Sequence, residues 1–324
     1  VRVSPLDRDL AAALAELRGR LESDYGWTHL KLEIRVDLEA RRVLVHGEIA
    51  APGLAARVHG ALEQRCRLEG LALTLELRPI PVRRWHLLPS TGLTLWRGHS
   101  LDRRCTELEI GDGPVGWLAE HAGASLVRGR DGTSGWTDRP LGAACPPRLI
   151  APPRDAPIEL LRARVLARAR AFLAVPYLLG GSSEAQVDCS GLVQRALSAV
   201  GLLVPRHSND QLALARPSEG PAQVGDLVFI LSRAQARTHV GIAAGPGRIV
   251  QASLSHRRVI EQEMGAYLDD AQWQRVLPLP RVLTWARAQV GRESIALPSP
   301  PLRSCDTPDI ELALRSGSPS SARC

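Results

Sequence analysis

The segment Val187-Asp188-Cys189-Ser190-Gly191-Leu192-Val193 limits the fold of this chain more than any other stretch. It sets a cysteine between polar neighbours at the start of an apolar helix, with Leu192, Val193, Ala196, Leu197 and Val200 at helical spacing and Gly201 as the stop. Short apolar runs at 227–231, 240–244, 249–253 and 259–261 follow, separated by turn signals, and read as strands. A helix with a thiol at its tip, laid on an antiparallel sheet, is an α+β arrangement. Upstream, a helix over 158–174 is expected to end before Pro176.

A helix N-terminus favours a thiolate through its exposed N–H groups and its dipole. The dipole supplies about 0.3–1 kcal/mol, less than the ~1.36 kcal/mol of one pKa unit, so Cys189 needs a base. His239 opens the strand His239-Val240-Gly241-Ile242, and Gln251 lies inside the next strand. Adjacent antiparallel strands bring a residue of one beside a residue of the other, so the order nucleophile, base, orienter is available to Cys189, His239 and Gln251. His256 is a rival orienter, but its odd spacing from Gln251 puts it on the opposite face of a continuing strand.

At 324 residues the chain is expected to form two or three domains. Residues 1–80 read as a small α/β module: Leu10, Leu14, Leu17 and Leu21 mark one helix face, 30–36 and 43–49 alternate as a hairpin, a helix covers 54–68, and 71–77 is a third strand. Residues 81–150 lose helical periodicity and read as a small β-barrel with a linker. There Gly113-Pro114-Val115-Gly116-Trp117 recurs as Gly132-Thr133-Ser134-Gly135-Trp136, each copy a turn that delivers a tryptophan to the next strand. Five prolines between 146 and 157 make a semi-rigid linker. The third domain covers 151–283, and 284–324, rich in Pro, Ser and Arg beyond about 292, is expected to be a disordered tail.

The net charge of +7 comes almost wholly from arginine. The arginines are scattered, and two Phe and three Tyr offer little base stacking, so nucleic acid is not the expected partner. Anionic wall polymer or lipid headgroups fit the charge, as does simple compositional bias. The six cysteines include no C-x-x-C pair, which argues against zinc and thioredoxin-type chemistry, and no metal or cofactor is expected. Apolar runs fall short of the roughly 18 residues of a membrane span. The chain opens on Val1 and its one methionine is Met264, so the natural N-terminus is expected to lie outside it, and export cannot be read from a leader.

Six blocks now align in order and spacing: Pro176-Tyr177, Gly180-Gly181, Asp188-Cys189-Ser190-Gly191-Leu192-Val193-Gln194, Gly201 through Pro205-Arg206 to Gln211, Gly225-Asp226-Leu227-Val228-Phe229, and His239-Val240-Gly241-Ile242. Together they resemble the NlpC/P60 cysteine peptidases over about 125 residues. The resemblance implies a papain-like catalytic fold and hydrolysis of peptidoglycan stem peptides between γ-D-glutamate and a diamino acid. Cys189 would be the nucleophile and His239 the base, and Gln251 stands where the family most often has histidine. A glutamine carbonyl can take the Nδ1–H of the imidazole but adds no charge to stabilise its protonated form. Tyr177 matches the tyrosine beside the oxyanion. Asp188 and Ser190 match positions that hold a substrate ammonium in a subset with an SH3-like domain that recognises a free N-terminal L-alanine. Arg206 could meet a stem-peptide carboxylate. Leu179 departs from the family's usual tryptophan.

The barrel resembles bacterial SH3 domains. The order of the N-terminal module, with Gly47 and Glu48 in its middle strand, resembles BON domains, which implies contact with the envelope or a membrane surface. Peptidoglycan or muropeptides are the implied partners, and the implied location is the cell envelope, periplasmic or secreted, with cytoplasmic muropeptide recycling as the other setting. Two other functions stay open on sequence alone: an envelope-binding protein with a weak or silent peptidase domain, and an amidase or acyltransferase acting on another amide or lipid.

Overall fold

A computed structural model describes residues 5–25, 29–50, 54–218, 220–232, 238–266 and 272–292. The N-terminal module runs α1 (Pro5–Tyr25), β1 (Leu30–Asp37), β2 (Arg42–Ile49), α2 (Leu54–Leu68) and β3 (Ala72–Pro79). β1 and β2 form the expected hairpin, and β3 lies parallel to β2 on its other side. Leu10, Leu17 and Leu21 of α1 are buried, and Leu14 half-buried, with Val58, Leu62 and Cys66 of α2 against Val43, Val45 and Ile49, so the two helices cover one face of the sheet.

Seven strands make the second unit: β4 (Arg84–His86), β5 (Leu93–Trp96), β6 (Arg104–Leu108), β7 (Val115–His121), β8 (Ala124–Arg128), β9 (Ser134–Thr137) and β10 (Ala144–Cys145). Their sheet order is β10-β4-β7-β8-β9-β5-β6. The repeated motif behaves as expected: Gly113 and Gly132 turn at φ of 84° and 85°, and Trp117 and Trp136 enter β7 and β9. Only a residue without Cβ holds those angles cheaply. The linker is tied down rather than free, because Ile150 is buried and exchanges backbone hydrogen bonds with Gly291 and Arg292.

The third unit has α3 (Ile158–Arg170), α4 (Cys189–Ser198), α5 (Ser208–Leu212) and the antiparallel strands β11 (Leu227–Ser232), β12 (Thr238–Gly245), β13 (Arg248–Ser253), β14 (Arg258–Glu263) and β15 (Gln272–Leu277), then α6 (Leu279–Arg287). The sheet order is β14-β13-β12-β11-β15. Leu192, Val193, Ala196 and Leu197 of α4 pack against Val240, Ile242 and Val250, which fixes the helix across the sheet.

Three expectations need correction. α3 stops at Arg170, a turn early, because Ala174 takes φ of 67° and gives its N–H to the Val259 carbonyl of the sheet. The edge strand β15 was not expected at all. The domain does not end at 283: α6 continues to Arg287, burying Val282, Leu283 and Ala286, and the described chain reaches 292. The remainder of the expected tail, 293–324, lies outside the described residues. Among the described residues no helix is long and apolar enough to cross a membrane.

Candidate active site

Cys189 is the first residue of α4, and Asp188 is its N-cap, accepting the Gly191 N–H at 2.8 Å. The cap requires glycine at 191, since a Cβ there would lie 2.3 Å from the Gly181 carbonyl oxygen. Packing of α4 on β12 sets the start of α4 beside the strand that carries His239. Burial, reinforced by the adjacent Asp188 charge, pushes the Cys189 thiol up to about 12.

His239 lies in β12 and Gln251 in β13, and the imidazole Nε2–H donates to the Gln251 Oε1. Gln251 is fully buried. The expected pairing therefore forms through the other ring nitrogen: Nε2, not Nδ1, carries the hydrogen held by Gln251. That tautomer leaves Nδ1 with its lone pair, the atom able to take the thiol proton. Burial lowers the His239 pKa below the ordinary imidazole value, and the Gln251 bond only partly opposes it. His256 is not the orienter, because β13 ends at Ser253 and the His256 Nδ1 pairs with the Ser253 hydroxyl at 3.0 Å.

Tyr177 is half-buried against the domain core, fixed by its N–H to the Arg257 carbonyl at 2.9 Å and by a bridge to Val187 just ahead of the nucleophile. Leu179, 52% exposed, stands two residues on.

Asp188, Ser190 and Arg206 are buried and satisfy one another. Arg206, 1% exposed, grips both Asp188 oxygens at 2.8 and 2.7 Å, and its Nη1 also donates to the Ser190 hydroxyl at 2.9 Å. Its Nε reaches the barrel at the Thr106 hydroxyl, 2.8 Å away, and its Nη2 donates to the Gly181 carbonyl at 3.0 Å. Burial pushes the Asp188 carboxyl up, but the Arg206 charge and the backbone donors outweigh it and hold it below the usual carboxylate value. A guanidinium so enclosed has no route to a substrate carboxylate.

Sequence reasoning missed that the barrel closes on this corner. Glu107 accepts from the Ser182 N–H and the Gln186 amide, Glu109 from the Glu184 N–H, and Asp112 pairs bidentately with Arg195 of α4 at 2.9 and 2.7 Å. No short-range signal announces contacts between residues some eighty positions apart.

With that geometry in place, the NlpC/P60 family pattern matches residues 174–277, which contain Tyr177, Cys189, His239 and Gln251. The gamma-DL-glutamyl hydrolase of Bacillus subtilis is 31% identical over 172 residues, 52% of this chain and 38% of its own. The bifunctional muramidase/DL-endopeptidase CwlT of Bacillus subtilis is 37% identical over 109 residues, 32% of this chain and 33% of its own. The murein DD-endopeptidase MepS/murein LD-carboxypeptidase of Escherichia coli K12 is 31% identical over 117 residues, 36% of this chain and 59% of its own. The matches therefore span between a third and three fifths of these relatives, centred on the cysteine domain. The chain carries an NlpC/P60 family domain over residues 174–277.

Proposed function

We propose that this protein is a cysteine endopeptidase of peptidoglycan stem peptides, cutting the bond between γ-D-glutamate and a diamino acid. The observation that carries the reading is the joint placement of Cys189, His239 and Gln251, with the imidazole hydrogen on Nε2 held by Gln251 Oε1 and Nδ1 left basic. As the Cys189 sulfur attacks the γ-glutamyl carbonyl, His239 Nδ1 takes the thiol proton, and the oxyanion is met by the Tyr177 hydroxyl and the N–H at the start of α4. Collapse transfers that proton from Nδ1 to the leaving amine and leaves a thioester on Cys189. Water, deprotonated by Nδ1, attacks the thioester; the acid departs and the thiol is restored.

The names of the relatives, two of them DL-hydrolases by their printed descriptions, support the substrate class, while the third cuts other stereochemical pairs. In this reading the barrel acts as an SH3-like module and the N-terminal module as a BON-like one, both placing the enzyme on wall polymer at the cell envelope. Incubation with purified muropeptides, followed by mass spectrometry, tests it: wild type releases fragments ending in D-glutamate, and Cys189→Ala releases none. Folded wild type that cuts nothing would favour an envelope-binding role, for which the neutral Gln251 as partner of His239 is the supporting observation.

A further inference from the structure

Cys189 and His239 come from different elements, α4 and β12, and a displacement of about 1 Å between reacting groups can cost about a hundredfold in rate. Whatever ties the two backbones together is therefore part of how the site works. The short helix α5 makes such a tie with its side chains. The Ser208 hydroxyl donates at 2.7 Å to the Thr238 carbonyl, in the peptide unit that leads into His239. Gln211, 0% exposed, donates through Nε2 to the Ser190 carbonyl, one residue past Cys189, at 3.1 Å, and to the Pro205 carbonyl at 2.8 Å. α5 accordingly packs against both α4 and β12.

A helix of five residues is too short to hold its own place. Its position comes from its attachments, and one of them leaves the catalytic unit. Asp210 accepts from Arg57 Nη2 at 2.8 Å. Arg57 lies in the first turn of α2, next to Val58, which is fully buried in the core of the N-terminal module. That module is also seated on the barrel, where Arg128 donates to the Ala50 and Ile80 carbonyls. The Arg57 and Asp210 side chains are 37% and 27% exposed, and a pair so exposed adds little to global stability. It can still fix the orientation of the single turn that carries it.

We propose that α5 is a strut through which the N-terminal module sets the separation of Cys189 and His239, with Ser208, Asp210 and Gln211 as positioning residues and Arg57 as the contact that seats them. The inference rests on the assignment of Cys189 and His239 as nucleophile and base, and it is independent of which bond they cut. It gives the N-terminal module a part in the reaction beyond placing the enzyme on polymer: the site reaches its working geometry with that module docked on α5.

The test uses the full chain and reads the thiol itself. Alkylation of Cys189 by iodoacetamide, followed by peptide mapping, is timed for wild type, Arg57→Asp, Asp210→Arg and the double swap, because the rate follows removal of the thiol proton. Each single reversal sets like charges against each other and is expected to slow alkylation about threefold to tenfold, while the swap restores the wild-type rate within about twofold. Urea midpoints are expected to stay together across the set. Single variants that alkylate at the wild-type rate overturn the inference, as does a loss that the swap leaves unrepaired. Should a single reversal unfold the chain, Ser208→Ala decides: it cuts the tie to β12 alone, and a folded variant with the wild-type rate overturns the inference. Muropeptide hydrolysis is read in parallel, with kcat expected to fall by the same factor while KM holds; a rise in KM alone would make the pair a substrate contact and overturn it. Alkylation in the expected pattern without hydrolysis by wild type removes the proposed reaction and leaves this inference standing.

Discussion

The chemistry of single residues decides how this site can work. Burial pushes the Cys189 thiol up to about 12 and holds the His239 imidazole below its ordinary value, and in the proposed mechanism His239 serves as the base. The sign of the pH effect follows. Activity is lost only when His239 takes a proton, and because burial lowers its pKa, the acid limb of kcat/KM falls below the ordinary value of about 6.5. Gln251→Glu places a negative charge on Nε2–H, favours the imidazolium and moves that limb to higher pH; a pH profile of each enzyme reads the shift. Cys189, His239 and Gln251 were legible because β12 and β13 are consecutive antiparallel strands and α4 packs across both. The ring nitrogen that meets Gln251 was not, since it depends on the imidazole's rotamer. The fate of Arg206 was not legible either: a helix-flanking arginine looks the same in sequence whether it faces solvent or locks a buried carboxylate.

At the scale of elements, the N-terminus of α4 is held by a buried polar cluster rather than by helix propensity. Asp188 caps the helix, and Arg206 neutralises the cap. Breaking one half of a buried pair leaves the other charge uncompensated and costs about 3–5 kcal/mol, so Asp188→Ala is expected to lower the denaturant midpoint strongly. The same pair gives an acid signature. The Asp188 carboxyl titrates lower folded than unfolded, so its stabilisation is complete above the unfolded value of about 3.9 and disappears as pH falls through the lower folded value. Urea midpoints across that window check it, and Asp188→Ala should flatten the decline. Most elements were readable because each shows one clean period: Leu10, Leu14, Leu17 and Leu21 for α1, alternation for β1 and β2. β15 escaped because its apolar residues Trp273, Val276 and Leu277 do not alternate along Gln272–Leu277. α6 escaped because Pro280 sits at its start, where proline opens a helix but also reads as a break.

For the whole molecule, arginines join the units. Arg128 of β8 is buried, with Nη2 donating to the Ala50 and Ile80 carbonyls of the N-terminal module, and burial lowers its pKa to about 10. Arg195 of α4 forms the bidentate bridge to Asp112 of the barrel. Arg195→Met is expected to leave each core intact and loosen the barrel from the catalytic unit, seen as a single thermal transition that broadens or splits in calorimetry while Cys189 remains in place. Boundaries between units were legible from shifts in pattern and proline content, but their docking depends on pairs such as Thr106 with Arg206, which carry no local signature.

In the proposed reaction Cys189, relieved of its proton by His239, attacks the stem-peptide carbonyl. Acid quenching of wild type during turnover of a muropeptide, followed by intact-mass measurement and peptide mapping, tests it directly. One adduct is expected, the mass of the γ-glutamyl fragment, in thioester linkage to Cys189 and absent from Cys189→Ala. An adduct on Cys66, Cys105 or Cys145, or continued cleavage by Cys189→Ala, would contradict it.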